Sequence, residues 1–296
     1  MNSQPVYSYR VTSRIGEGGD APPGAIFPYW SFTKTAIAIC ALQLVERSKL
    51  TLDVRLPQQP FTLRHLLQHT SGLPDYGPLP AYHAAVARQD EPWSRQMFVD
   101  AALAQGMLFE PGDGWSYSNI GYGYVRDLIE KTTGQSIGSM MSDHLCEPLG
   151  LSTVEFWDTT EQSRSLHWKA AKDYDPRWVF HGCLIGSAAD AARMLHALFE
   201  GQLLGSDSLT EMLGTLELGG LLPGRPWVQC GYALGLMSGE MASVGRAIGH
   251  SGAGPFSVNA VYHFPDRPDP VTVAYFTDGT DEGVAEFAAK AIAVEA

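Results

Sequence analysis

The chain has 296 residues, 45% of them apolar and 18% charged, enough for one large folded unit or two small ones and too apolar for a disordered tail. No run approaches the roughly 18 to 20 unbroken apolar residues of a membrane helix, so no membrane association is expected. Twenty Lys and Arg against 32 Asp and Glu leave a formal charge of −12, which repels phosphate backbones and argues against nucleic acid as a partner.

Val6 to Thr12 alternates weakly and is rich in β-formers, which predicts a strand, and Gly16 to Gly24 reads as a loop. From Ser31 to Ser48 apolar residues fall on nearly every side, predicting a helix inside the protein. Thr62 is placed to cap a helix reaching His69, and Ser94 one that Gly106 ends. Ile120 to Thr133 predicts a helix closed by Gly134. Ser187 to Glu200 predicts another, opened by Ser187 and Asp190 in capping-box spacing. Past Pro226 the pattern turns to short β-rich runs, Tyr232 to Met237, Ser257 to Phe264 and Val271 to Thr277, before an amphipathic helix from about Asp281 to Val294. These elements predict an α/β (α+β) fold: an antiparallel sheet built from both chain ends, flanked by helices, with a large helical insertion. Residues 1–60 and 225–296 are expected to form the sheet region and 61–224 the helical region, with the active site in the cleft between them.

Cys40, Cys146, Cys183 and Cys230 lie far apart without a C-x-x-C pair, so each reads as a small buried hydrophobe. His65 and His69 share a helix face, but no Glu lies between them in H-E-x-x-H form and no third ligand is indicated; they read as structural. No metal or organic cofactor is expected. The N-terminus has no basic segment followed by an apolar one, so a cytoplasmic protein is the expectation.

Three short segments could carry chemistry. In Ser31-Phe-Thr-Lys34 the amine stands one helical turn from the hydroxyl and on the same face. A serine hydroxyl needs a base, and lysine serves when burial lowers its pKa. Chance alone supplies about half an S-x-x-K in such a chain, and the plain alternative is a capping Ser and a surface Lys. In Tyr117-Ser-Asn119 a phenol beside an ammonium could lose its proton below its usual pKa and act as base, and Asn119 offers a substrate amide both a donor and an acceptor. The plain alternative is a core Tyr and an N-cap Asn. His250-Ser251-Gly252 precedes a strand-like run; His250 could steer a proton or a substrate carboxylate, and the alternative is a strand-entry turn.

Taken in order, Ser-x-x-Lys, Tyr-x-Asn and His-x-Gly resemble the serine β-lactamase-like, penicillin-recognising hydrolases, in the branch of class C β-lactamases, D,D-peptidases and D-aminopeptidases with their related esterases. The resemblance extends to Leu63-Arg-His-Leu-Leu-Gln-His-Thr-Ser-Gly-Leu-Pro-Asp-Tyr76, Phe109-Glu-Pro-Gly-Asp-Gly-Trp-Ser-Tyr-Ser-Asn-Ile-Gly-Tyr122, Glu147-Pro-Leu-Gly-Leu151 and Gly249-His-Ser-Gly-Ala-Gly254, covering about residues 28 to 280. It implies Ser31 as the acylated nucleophile, Lys34 and Tyr117 as the proton-handling pair, and Asn119 as the holder of the acyl amide. His250, Ser251 and Gly252 become the opposite wall, and the backbone N–H groups of Ser31 and Ala253 the oxyanion hole. Two departures stand out. His250 replaces the Lys of many class C β-lactamases, and the family usually has a longer segment with two strands before Ser-x-x-Lys. An edge strand is therefore expected to be missing or supplied by a partner chain.

A rival reading takes Gly249 to Ala253 as a nucleophile elbow around Ser251, but only His263 lies downstream and the triad has nowhere to fit. The expectation is a serine hydrolase acting through an acyl-enzyme on small esters or amides, of esterase or D-amino-acid peptidase type. The alternatives are a β-lactamase or D,D-carboxypeptidase, and a non-catalytic penicillin-binding ligand sensor. The partner is a small ester, amide or β-lactam, and a homo-oligomer is allowed.

Overall fold

The computed structural model describes residues 7–104 and 106–296, so Val6 of the first expected strand lies outside the described residues. In chain order the strands are β1 (Tyr7–Thr12), β2 (Glu17–Gly18), β3 (Phe27–Pro28), β4 (Glu155–Trp157), β5 (Cys183–Gly186), β6 (Leu216–Gly219), β7 (Trp227–Tyr232), β8 (Met237–Met241), β9 (Gly245–Ala253), β10 (Ser257–Phe264) and β11 (Val271–Asp278). Eight form one antiparallel sheet in the order β2-β1-β11-β10-β9-β8-β7-β6. The sheet is thus built from both chain ends and flanked by helices. β1 and β2 fill its edge beyond β11, so the edge strand expected to be missing or borrowed comes from this chain. A second sheet, β3-β5-β4, was not expected; its strands are too short to leave an alternating pattern.

All eight residues of β10 are buried. Val261 and Ala274 pack toward the helix Ala188–Phe199, while Val258, Ala260 and Tyr262 pack toward the helix Glu282–Glu295. Alternate residues therefore enter two cores, one on each face of the sheet. Each of these helices begins on a side-chain cap, Ser187 onto the Asp190 N–H and Asp281 onto the Gly283 N–H. Asp190 does not complete the expected capping box; its carboxylate accepts from Thr153 instead.

The helix Thr33–Glu46 has its first twelve residues buried, as an all-apolar surface demands. It starts later than expected because Trp30–Phe32 forms a 3₁₀ turn. Ser118, not Asn119, caps the helix Asn119–Thr133, which Gly134 closes at φ +72°. Thr62 caps only Leu63–Leu67, and Ser94 caps Arg95–Leu103.

Of the run Tyr232 to Met237, expected as one strand, Tyr232 ends β7, Met237 begins β8, and the four residues between them form the turn. Its apolar residues Ala233, Leu234 and Leu236 are buried because the turn leans on the Thr33 helix. Gly235, at φ +79°, permits this approach: a Cβ there would lie 2.5 Å from the Ala38 Cβ. Of the cysteines, Cys40, Cys146 and Cys183 are buried and Cys230 is half-buried. No helix among the described residues is long and apolar enough to cross a membrane.

Candidate active site

Ser31 is aimed by the residue before it. Trp30 holds φ +46°, the left-handed region that costs an L-residue roughly 1–2 kcal/mol. Its surroundings fix it there. The Trp30 N–H donates to Cys183 Sγ (3.2 Å), its indole Nε1–H to Ser257 Oγ (3.0 Å), and its ring packs edge-on against Tyr174 and Phe256. The chain then bends sharply and delivers Ser31, partly exposed, into the 3₁₀ turn.

β9 passes close beside this bend because Gly252 has no side chain. A Cβ there would lie 2.7 Å from the Tyr29 carbonyl oxygen and 2.8 Å from the Trp30 Cβ. Gly254 donates its N–H to the Ser257 carbonyl, toward β10, so strand alternation turns the Ala253 N–H to the opposite edge. β8 has left that edge after Gly249. Ala253 and Ser31 line the same cavity.

Ser31 Oγ stands 3.2 Å from Lys34 Nζ and accepts from the Tyr117 hydroxyl at 2.8 Å. Lys34 is wholly buried and lies under the Tyr117 ring, with Nζ 4.8 Å from its centroid. Its amine contacts Asn119 Oδ1 at 2.7 Å and His181 Nε2 at 3.1 Å. Burial lowers the Lys34 pKa to about 7, against the attraction of Asp75, Cys183 and Glu282. Burial also raises the Tyr117 phenol well above its ordinary value, with Tyr232 adding to the effect. The expectation of an acidified Tyr117 is therefore wrong. Desolvation of the phenolate outweighs the nearby amine, and Tyr117 is a proton-bearing phenol.

Asn119 is oriented by Asp75, whose two oxygens accept from its backbone N–H and its Nδ2, both at 2.9 Å, turning Oδ1 toward Lys34. Ser118 donates its N–H to His69 Nδ1 at 3.1 Å and its hydroxyl to the Pro74 carbonyl, so two loops fix this segment from beneath. His65 and His69 play no shared part: His65 closes a capping box, while His69 lies buried against Tyr117 and Tyr232.

β9 does not present its motif as expected. His250, Ser251 and Gly252 are interior to the strand, so successive side chains point to opposite faces. His250 faces the cleft side but is buried, its Nε2 accepting from Tyr232 at 2.9 Å and its Nδ1–H turned to the Ser251 carbonyl. Burial and then Lys34 depress its pKa to about 3, so it is neutral near pH 7 and cannot attract a carboxylate by charge. The Ser251 side chain leaves the cleft altogether. Its hydroxyl donates to Glu286 Oε1 at 2.6 Å behind the sheet, where Arg225, Trp227 and Tyr262 also donate to that carboxylate. Ser251 is fully buried, which disposes of the nucleophile-elbow reading.

Sequence reasoning missed Trp30, Asp75 and His181 as parts of this site. Asp75 stands inside a quoted segment, but its neighbour is 44 positions away. His181 lies 147 positions from Lys34 in no motif, so no local signal could have found it. Its Nδ1 is buried without a partner among the described residues. The cavity over Ser31 measures about 390 Å³, walled by Trp30, Tyr76, Tyr82, Tyr174, Val86 and Val179, with Asn119 and His181 at its polar end.

A family model described as Beta-lactamase matches residues 3–296, and the chain belongs to that family. It is 32% identical over 147 residues to a penicillin-binding protein of Bacillus subtilis, covering 45% of this chain and 31% of that protein. It is 26% identical over 159 residues to a lovastatin esterase of Penicillium rubens, covering 45% and 40%. These matches span less than half the length of either curated relative. Among solved structures, a D-stereospecific amidohydrolase from Streptomyces sp. superimposes with a TM-score of 0.77 at 25% identity, covering 96% of this chain and 94% of that one. The chain is a β-lactamase-fold member of a hydrolase family.

Proposed function

We propose that the protein is a serine hydrolase that forms an acyl-enzyme at Ser31 and acts on small esters and amides. The observation that carries this reading is the contact of one partly exposed hydroxyl with a buried amine of pKa about 7 and a protonated phenol. A neutral amine has two N–H donors and one lone pair. With Asn119 Oδ1 and His181 Nε2 accepting the donors, the lone pair is left for the Ser31 hydroxyl proton. Lys34 takes that proton as Oγ attacks the carbonyl carbon. The ammonium so formed then has Asn119 Oδ1, His181 Nε2 and Ser31 Oγ as acceptors. The backbone N–H groups of Ser31 and Ala253 receive the developing oxyanion.

Tyr117 passes its proton to the leaving oxygen or nitrogen, and the Lys34 ammonium returns the proton it took to the phenolate, which leaves the acyl-enzyme and a neutral amine. Water then enters, Lys34 accepts its proton, and the acid departs with Ser31 Oγ reprotonated. The esterase and amidohydrolase among the relatives support ester and amide bonds as the chemistry.

Intact mass after incubation with a fluorophosphonate, beside a panel of p-nitrophenyl esters, tests the reading. We expect one adduct and ester turnover in the wild type and neither in Ser31→Ala. No adduct, or an adduct that persists in Ser31→Ala, overturns the nucleophile. A stable adduct with no ester turnover identifies a ligand sensor instead.

A further inference from the structure

Among the described residues, the cavity over Ser31 has no Asp, Glu, Lys or Arg in its lining; its imidazoles are the exposed His83 and His181, whose Nε2 meets Lys34. Its long wall is aromatic, and Tyr76 and Tyr82 turn their hydroxyls onto the Trp178 carbonyl, so they offer rings and not hydroxyls to the space. The charged groups nearby are already engaged. Arg225 is held by Glu282 and Glu286, and Asp75 spends both oxygens on Asn119. Lys34 lies beneath Ser31 and outside the lining, and His250 has both ring nitrogens occupied.

From this we infer that the cleft selects substrates with an uncharged acyl chain, and favours one ending in an apolar ring. This rests on the proposed acyl-enzyme reading and adds the substrate class. A carboxylate drawn into such a cavity loses its water and meets no Lys or Arg, only the exposed imidazole of His83. An ammonium on the aromatic wall meets ring faces and no carboxylate, and the attraction of the rings, about 0.5–2 kcal/mol, does not replace its hydration. A phenyl group instead finds the rings of Trp30, Tyr76, Tyr82 and Tyr174 with Val86 and Val179 among them.

The experiment is a matched series of p-nitrophenyl esters in which charge sits far from the reacting carbonyl, so that intrinsic reactivity is constant. The series comprises the hexanoate, the 4-phenylbutanoate, the adipate monoester and the 6-ammoniohexanoate. Both charged esters are expected to fall below the hexanoate in kcat/KM by about tenfold or more, the scale of one unmet group in a binding pocket. The phenylbutanoate should match or exceed the hexanoate. Either charged ester running within about threefold of the hexanoate, or above it, overturns the inference. Val86→Lys, which puts a cation in the wall, should raise the adipate ester relative to the hexanoate by about tenfold. A Val86→Lys protein that melts like the wild type and leaves that ratio unchanged also overturns it. Hydrolysis that survives Ser31→Ala contradicts the proposed function itself, a failure visible before any charge comparison is made.

Discussion

β9 separates two buried polar clusters that handle charge in opposite ways. Behind the sheet, the Glu286 carboxylate accepts hydrogen bonds from Arg225, Trp227, Ser251 and Tyr262, and Arg225 reaches Glu282 as well. Its charge is paired and its lone pairs are occupied. On the cleft side, Lys34 has no carboxylate in contact, and His69 Nε2 and His181 Nδ1 have no partner among the described residues. Satisfied clusters hold structure, whereas a cluster left short of partners keeps its groups reactive. Ser31 and Ser251 illustrate the difference: one hydroxyl is poised on an amine, the other is locked to a carboxylate.

That contrast can be broken at several points. Lys34→Met, which removes the amine but keeps the volume, should lower kcat on a p-nitrophenyl ester by roughly four powers of ten, the upper end for a general base. Wild-type turnover in this variant would remove Lys34 from the mechanism. Tyr117→Phe should cost roughly two to three powers of ten, since it removes the relay and leaves the base; an unchanged kcat/KM would exclude the phenol. Behind the sheet the effect should be on stability. Glu286→Ala leaves Arg225 with Glu282 alone and takes their shared acceptor from the buried Trp227, Ser251 and Tyr262, and should lower the unfolding free energy by about 1–3 kcal/mol in urea titrations, with the folded fraction still active. Activity lost from protein shown to be folded would make Glu286 part of the site.

The smallest effects concern pH. The base works neutral, so kcat/KM should rise with pH through about 7, and fall about tenfold per unit below it as Lys34 is protonated. His250, already neutral above about 3, should add no transition between pH 6 and 7, contrary to what its position in the motif suggests. His181 lines the cavity and contacts the Lys34 amine, for which it is a positioning residue. His181→Ala admits water beside the amine and relieves the burial that depresses its pKa, so the acid limb should move to higher pH. A lower rate with the limb unmoved would leave His181 a purely structural part.

The sheet from both chain ends and the contact of Ser31 with Lys34 were legible because each follows from local periodicity, and three positions on a helix meet by geometry alone. Tyr117 was legible only through its resemblance. Three readings failed for physical reasons. Ala233 to Leu236 is apolar because a turn is buried, not because it is a strand. Ser251 could not share a wall with His250 once both lay inside one strand. Tyr117 was given too much influence from the amine and too little from desolvation, a quantity set by residues such as Tyr232 that are more than a hundred positions away. His181 was out of reach for the same reason, since its contact exists only after the chain has folded.

The conformation of Trp30 ties two properties together. The residue whose ring bounds the cavity is also the hinge that points the Ser31 hydroxyl, so the cavity cannot be enlarged at this position without re-aiming that hydroxyl. Attempts to widen the cavity for bulkier ligands should begin across the space, at Tyr82 or Val86, where the backbone is not wound against its preferred hand and the orientation of Ser31 is left alone.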